Sequence, residues 1–252
     1  DEPFDVKSNS SNELFVVGRT ASNNFPLVTG VSVFQNVKGG SNDGYIDKYD
    51  ANGVKLWSTF VGGSNDDVIK SIDFASNGDL YIVGQSNSNL LTFSKAGATN
   101  SLSPIGDFDG FILQTNSTSN QKKWLTYIGG SLKDEPHKCK FDNSGNFYVV
   151  GWTASTNIPT IGVSPQYLQS SSTPSSTTDG FIIKYNPASQ TVWRTYLGAS
   201  NDPASAALTD GIRDLDFDSS NELVVVGFSS GSNFPNIVNG NSTNYALVGT
   251  KP

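Results

Sequence analysis

The residues best suited to chemistry are acidic pairs set among small polar neighbours. Asp66-Asp67 follows Gly62-Gly63-Ser64-Asn65, Asp134-Glu135 follows a second Gly-Gly-Ser, and Asn201-Asp202 follows Gly-Ala-Ser. Carboxylates and amides of this kind are Ca²⁺ ligands, since that ion takes six to eight oxygens. The loops lack the EF-hand spacing, however, and turn capping by Asp and Asn side chains accounts for the same residues. Two carboxylates at a set separation also serve glycoside hydrolysis. A catalytic pair would break a repeat in one place, whereas these acids recur along the chain. His137-Lys138-Cys139 offers a third chemistry, because alternation in a strand puts residues i and i+2 on one side. Nothing marks the oxyanion hole that a cysteine nucleophile needs, and two ligands are too few for structural zinc. No catalytic residue, metal centre or cofactor is therefore expected, and Ca²⁺ is the one candidate ion.

These residues sit in a chain of 252 residues in which 15% are charged and 25 are glycine. Soluble domains average about 25% charged residues, so Ser, Asn, Thr and Gly supply the polar surface here. The net charge of −7 excludes a nucleic-acid partner, which needs a basic footprint. One cysteine excludes a disulfide framework within the chain. No apolar run reaches the ~18 residues of a membrane span. Methionine is absent even at position 1, which leads us to expect a processed or excised chain. Sequons at Asn9, Asn116 and Asn241 carry little weight in a sequence this rich in Asn, Ser and Thr.

What positions the acidic pairs is a repeat. NELFVVG (12–18) recurs as GDLYIVG (78–84), GNFYVVG (145–151) and NELVVVG (221–227). DGYIDKYD (43–50) recurs as DGFILQTN (109–116) and DGFIIKYN (179–186), with a weaker NYALVGTK (244–251). LWSTFVGGS (56–64) recurs as WLTYIGGS (124–131) and VWRTYLGAS (192–200). Four units result, about 1–64, 65–131, 132–200 and 201–252, and together they make one array. Each unit predicts four strands rich in β-branched and aromatic residues. In the second unit these are strand a (68–74), b (79–84), c (110–115) and d (123–129). Asn/Gly turns such as ASNG (75–78), DNSG (142–145) and DANG (50–53) suit tight hairpins, since Asn and Gly tolerate positive φ.

The composite of DG-(F/Y)-I-x-K-Y, W-x-T-(Y/F)-x-G-G-S, an alternating strand, NG, (L/F)-Y-(I/V)-V-G and a later F-P closely resembles the SBBP family of β-propeller repeats. The later pair is Phe25-Pro26, Ile158-Pro159 or Phe234-Pro235; the second unit has Leu91-Thr92-Phe93 instead. The resemblance implies a secreted or surface location and a propeller fold, and no defined activity. The expected class is therefore all-β, a β-propeller of four-stranded antiparallel blades. Four repeats are visible, and the last lacks its outer strand. A free edge there is an aggregation hazard, so we expect a piece of a longer propeller or of a larger surface protein.

Aligned on Gly18, Gly84, Gly151 and Gly227, strand a gives two apolar columns: Val6, Ile72, Cys139, Leu215 and Ser8, Phe74, Phe141, Phe217. Both should pack between sheets, with Cys139 as a buried inert thiol. Between them lies Lys7, Asp73, Lys140, Asp216, whose alternating signs predict a paired ring near the axis. Trp57, Trp124 and Trp193 recur and read as sheet packing. Trp152 differs: it follows Gly151 where the other copies carry Arg19, Gln85 and Phe228, and it either lines the loop face or anchors the long loop in the core. On the loop face it is a candidate for ligand contact, with Phe228, Tyr167 and Phe34 as companions. In a meander the b–c loops and d–a links share one face. The ligand-binding face is therefore expected there, formed by Trp152, Phe228, Asp66, Asp67, Asp134, Glu135, Asn201 and Asp202. The function expected is a non-enzymatic secreted or cell-surface binding or spacer module for protein or glycan, without membrane insertion. The alternative is an extracellular carbohydrate-active enzyme using that face.

Overall fold

In the computed structural model, residues 1–28, 33–90, 94–99, 101, 104, 106–118, 121–158, 177–199 and 210–230 are described. They form fourteen strands and no helix. The first sheet is a meander of β1 (Glu2–Ser8), β2 (Leu14–Thr20), β3 (Asp43–Tyr49) and β4 (Lys55–Val61). The second joins β5 (Asp67–Phe74), β6 (Asp79–Ser86), β7 (Asp109–Asn116) and β8 (Lys122–Ile128). The third joins β9 (Asp134–Phe141), β10 (Phe147–Thr153), β11 (Asp179–Tyr185) and β12 (Thr191–Leu197). The fourth holds β13 (Asp210–Phe217) and β14 (Leu223–Ser229). All pairs are antiparallel between sequence neighbours. The 244–251 segment and the absence of a last outer strand lie outside the described residues.

The hairpin turns explain why the meanders form. Ala75 accepts the Gly78 N–H, Asp142 the Gly145 N–H, Asp50 the Gly53 N–H and Asn186 the Ser189 N–H. The last residue of each turn has positive φ: 80° at Gly78, 77° at Gly145, 81° at Gly53 and 62° at Ser189. Glycine and asparagine take this conformation readily; Ser189 is the departure.

Three apolar cores lie between successive sheets. Phe15, Val17 and Ile46 of the first meet Ile69, Ile72 and Leu80 of the second. Tyr81, Val83 and Trp124 meet Cys139, Phe147 and Val149 of the third. Tyr148 and Val150 meet Ile212 and Leu215 of the fourth. The recurrent tryptophans make one repeated edge contact, Phe15–Trp57, Tyr81–Trp124 and Tyr148–Trp193, with centroids 5.9, 6.4 and 6.1 Å apart. Such pairs add to simple burial. Val6, at the column of buried Ile72, is 54% exposed, so that column packs only in the second to fourth sheets.

Strand a departs from regular alternation. Its pairing with strand b shifts between Pro3 and Asp5, Ile69 and Ser71, Pro136 and Lys138, and Ile212 and Asp214. Each copy therefore carries a β-bulge at one place: Phe4, Lys70, His137 and Arg213. A bulge adds a residue that opposes nothing on the partner strand and re-aims its side chain. As a result the bulged residue, the next one and the residue two further on all reach other strands a. Those before and between them turn to the other side of the strand and are buried in the second to fourth sheets.

Candidate functional site

The axis is lined by strand a in layers. At the hairpin end, Lys7 Nζ lies 3.5 Å from Asp73 Oδ1, and Lys140 pairs with Asp216. Asp73 also accepts the Phe141 N–H at 2.8 Å. Lys140, first, and the Phe141-equivalent Phe217 N–H hold the Asp216 carboxyl below its ordinary range, and Lys7 adds to this. The alternating column thus pairs across sheets as its signs require. In the middle layer Asp5 Oδ2 accepts from Ser71 Oγ at 2.7 Å, the Ile72 N–H at 3.1 Å and Lys138 Nζ at 3.0 Å. Burial alone would depress the Lys138 ammonium, but Asp5 outweighs it and holds the group above its usual value.

The loop-side layer is different in kind. Glu135 Oε1 receives Lys70 Nζ at 3.0 Å and His137 Nε2 at 3.4 Å, and Lys133 lies 3.6 Å from Oε2. Burial pushes Glu135 upward, yet Lys70, His137 and Lys133 together hold it below the usual carboxylate range. Burial drives His137 down to about 4, with Arg213 and Lys70 adding to the effect against the pull of Glu135. The imidazole is therefore neutral at pH 7. Its ring nitrogens lie 3.3 and 3.2 Å from Arg213 Nη1, which donates to whichever is unprotonated. The exposed Arg213 guanidinium stacks 5.0 Å from the Phe228 ring, and Lys133 lies 5.2 Å from Trp152. These are cation–π distances. Gly211 makes this mouth: a Cβ there would meet the Phe228 ring at 2.9 Å and Trp152 Cβ at 3.1 Å.

Of the residues expected on the ligand face, the structure brings Trp152, Phe228 and Glu135 together at this mouth. Trp152 is buried and Phe228 half-buried. Asp67 and Asp134 turn inward instead and are fully buried. Asp67 Oδ2 accepts from the Gly63 N–H at 2.7 Å and Ser88 Oγ at 2.8 Å. Asp134 accepts from the Gly130 N–H at 2.8 Å, Ser155 Oγ at 3.0 Å and Thr153 Oγ1. Burial lifts both carboxyls to about 6, although these donors oppose it. A second acid, Asp109, stands opposite Asp134 across Gly129, where a Cβ would lie 2.7 and 2.6 Å from the two carboxylates. Asp66 accepts the Asn42 N–H and Nδ2 at 3.1 and 3.0 Å, a structural clamp between links. Asn201, Asp202 and Tyr167 lie outside the described residues. Phe34 packs on the first core instead, with Lys122 4.8 Å from its ring.

Among the described residues, no group of three or more His, Cys, Asp and Glu is placed to hold a metal ion. Cys139 and His137 do not act together: the bulge at His137 breaks the alternation between them. Cys139 faces the core, 3.7 Å from Ser71 Oγ, where burial pushes its thiol far up. No described helix could cross a membrane. Sequence reasoning missed Lys70, His137 and Arg213 as one layer; their recurrence at a single column, each with a different side chain, was the available signal.

No curated protein matches the chain. Among solved structures, the extracellular domain of a one component system from B. thetaiotaomicron is similar over 88% of this chain, at 12% identity and a TM-score of 0.26. The chain spans 32% of the length of that solved domain. Residues 123–159, which run from β8 through β9 and β10 into the next loop, match the SBBP beta-propeller repeat.

Proposed function

We propose that this chain is a non-enzymatic, secreted or cell-surface binding module. It grips a protein partner at the loop-side mouth of its axis, with an acidic side chain of the partner seated on Arg213. The observation that carries this reading is asymmetry. The bulged column presents Phe4, Lys70, His137 and Arg213, so the mouth is one patch rather than four similar sites. A one-site-per-blade lectin would show the same residues four times. Among the described residues around Glu135, Lys70, Lys133 and Arg213 make a local excess of cations on a chain of net charge −7. Arginine and tryptophan in such a setting are frequent interface anchors, and guanidinium pairs well with carboxylate.

Glycoside hydrolysis finds less support. It needs two acids open to substrate and water, whereas Glu135 is already engaged by Lys70 and Lys133 and the Asp109–Asp134 pair is fully buried. Panning a random-peptide phage library on the immobilised chain tests the proposal. Acidic peptides should enrich, and Arg213→Glu should lose them by at least tenfold with an unchanged unfolding midpoint. Equal enrichment on both proteins, or turnover in a panel of fluorogenic glycosides, would overturn it. The same screen run with EDTA should give the same peptides, since no ion is invoked.

A further inference from the structure

A second concavity opens on the opposite, hairpin-bearing face, between the second and third sheets. It measures about 650 Å³, within the range of small-molecule sites. Half-buried Phe74 and Phe141 line it, with Tyr81, Phe147 and Tyr185 behind them. Tyr81, Phe141 and Phe147 form one aromatic cluster, with centroids 4.9 to 5.0 Å apart. Exposed Ser76, Asn143 and Ser144 stand at its rim.

One wall comes from outside the hairpins. The loop after β6 crosses to this face, where the Thr99 N–H donates to the Ser189 carbonyl at 3.0 Å and Thr99 Oγ1 accepts the Thr191 N–H at 2.8 Å. It delivers Lys95, whose Nζ donates to Ser189 Oγ at 2.8 Å and Gln114 Oε1 at 3.2 Å. Ser189 is the buried turn residue at φ 62°, where other turns use glycine or asparagine. Its hydroxyl lies 3.3 Å from Tyr81 OH. A serine held in that conformation is strained, and such strain gathers at functional sites. Here it places a hydroxyl between a lysine and a tyrosine at the pocket wall.

We propose that this pocket binds a neutral saccharide of one or two rings. The aromatic wall suits the apolar face of a sugar ring, and the Ser and Asn rim suits its hydroxyls. The ionised wall groups are already answered: Asp142 accepts Asn146 Nδ2 at 2.7 Å and the Ser144 and Asn146 N–H groups at 2.9 and 2.8 Å. Lys95, the other charged wall group, is held by Ser189 Oγ and Gln114 Oε1, and Gln114 Nε2 in turn donates to Asp79 behind the wall at 2.8 Å. Among the described wall residues a charged ligand would find no unanswered partner. The site lies on the other face from the mouth, so it does not rest on the protein-binding proposal.

The test is saturation-transfer NMR and calorimetry on the whole chain with glucose, galactose, mannose, N-acetylglucosamine and cellobiose. At least one sugar should bind. Ser144→Trp, which fills the rim from an exposed turn, should weaken it by at least about tenfold, and Arg213→Glu should leave it unchanged. If Ser144→Trp shifts the unfolding midpoint, Ser76→Trp on the facing wall makes the same measurement. No binding of any of the five sugars to the native chain overturns the proposal. So does binding that survives the blocking substitution.

Discussion

The two ends of the axis are built from the same four strands and obey different rules. At the hairpin end, Lys7, Asp73, Lys140 and Asp216 alternate in sign and pair from sheet to sheet. At the loop end, Phe4, Lys70, His137 and Arg213 share a column and little else. A regular column is what neighbouring sheets need to dock, because each buried charge needs a partner. The irregular column bridges sheets as well, through Phe4–Lys70, Lys70–Glu135 and His137–Arg213, but with a different contact at each junction. Regularity marks the part of the axis where one pairing rule serves every junction, and its loss marks the patch on which the proposed recognition rests.

Three measurements bear on that contrast. The largest effect should come from the layer that joins the two ends. Asp5→Leu strips a half-buried Lys138 of its partner and leaves the Ile72 N–H unanswered, at roughly 3 kcal/mol by denaturant unfolding. A change under about 0.5 kcal/mol would show that the axis is not what couples the sheets. Next comes Asp73→Leu at the regular end, which removes the acceptor of the Phe141 N–H and the partner of Lys7. We expect about 1–3 kcal/mol; unaltered denaturation would mean the paired column is idle.

The smallest effect is the pH dependence. Asp67 and Asp134 bind protons more readily folded, near 6, than unfolded. Their burial penalty is full above that value and is relieved as the pH falls toward 4. His137, held at about 4, binds its proton less readily folded, so its contribution favours folding above about 6.5 and is lost on acidification toward 4. The two effects oppose in one window. His137→Gln should therefore gain more stability than the native chain between pH 7 and pH 5. Parallel profiles would sever the loop-end histidine from folding.

Much of the scaffold was legible in the residues. Alternating apolar positions and the glycines of ASNG, DNSG and DANG specify strands and turns locally, so β5 to β8 fall close to the expected spans. Packing of the Ile72–Cys139–Leu215 column was equally legible, since apolar residues at one repeat position need one neighbour. The bulge was not. It adds a residue without changing composition, and it exists only relative to the register of strand b. That is why His137 and Cys139 looked like companions. Asp67 and Asp134 misled for another reason: acids after Gly-Gly-Ser read as surface, although their recurrence already hinted at a structural task. The hairpin-face pocket left no local trace, because Lys95 and Ser189 are 94 residues apart and meet only through the crossing loop.

The bulge also bears on how such a chain can change over time. Removing the bulged residue from strand a would leave the following residues alternating as before, core to core and axis to axis. The loop-end layer is thus an addition to a strand that is complete without it. Copies made by duplication could diverge at this one position while every core contact was inherited intact. Phe4, Lys70, His137 and Arg213 are four outcomes of that freedom within a single chain.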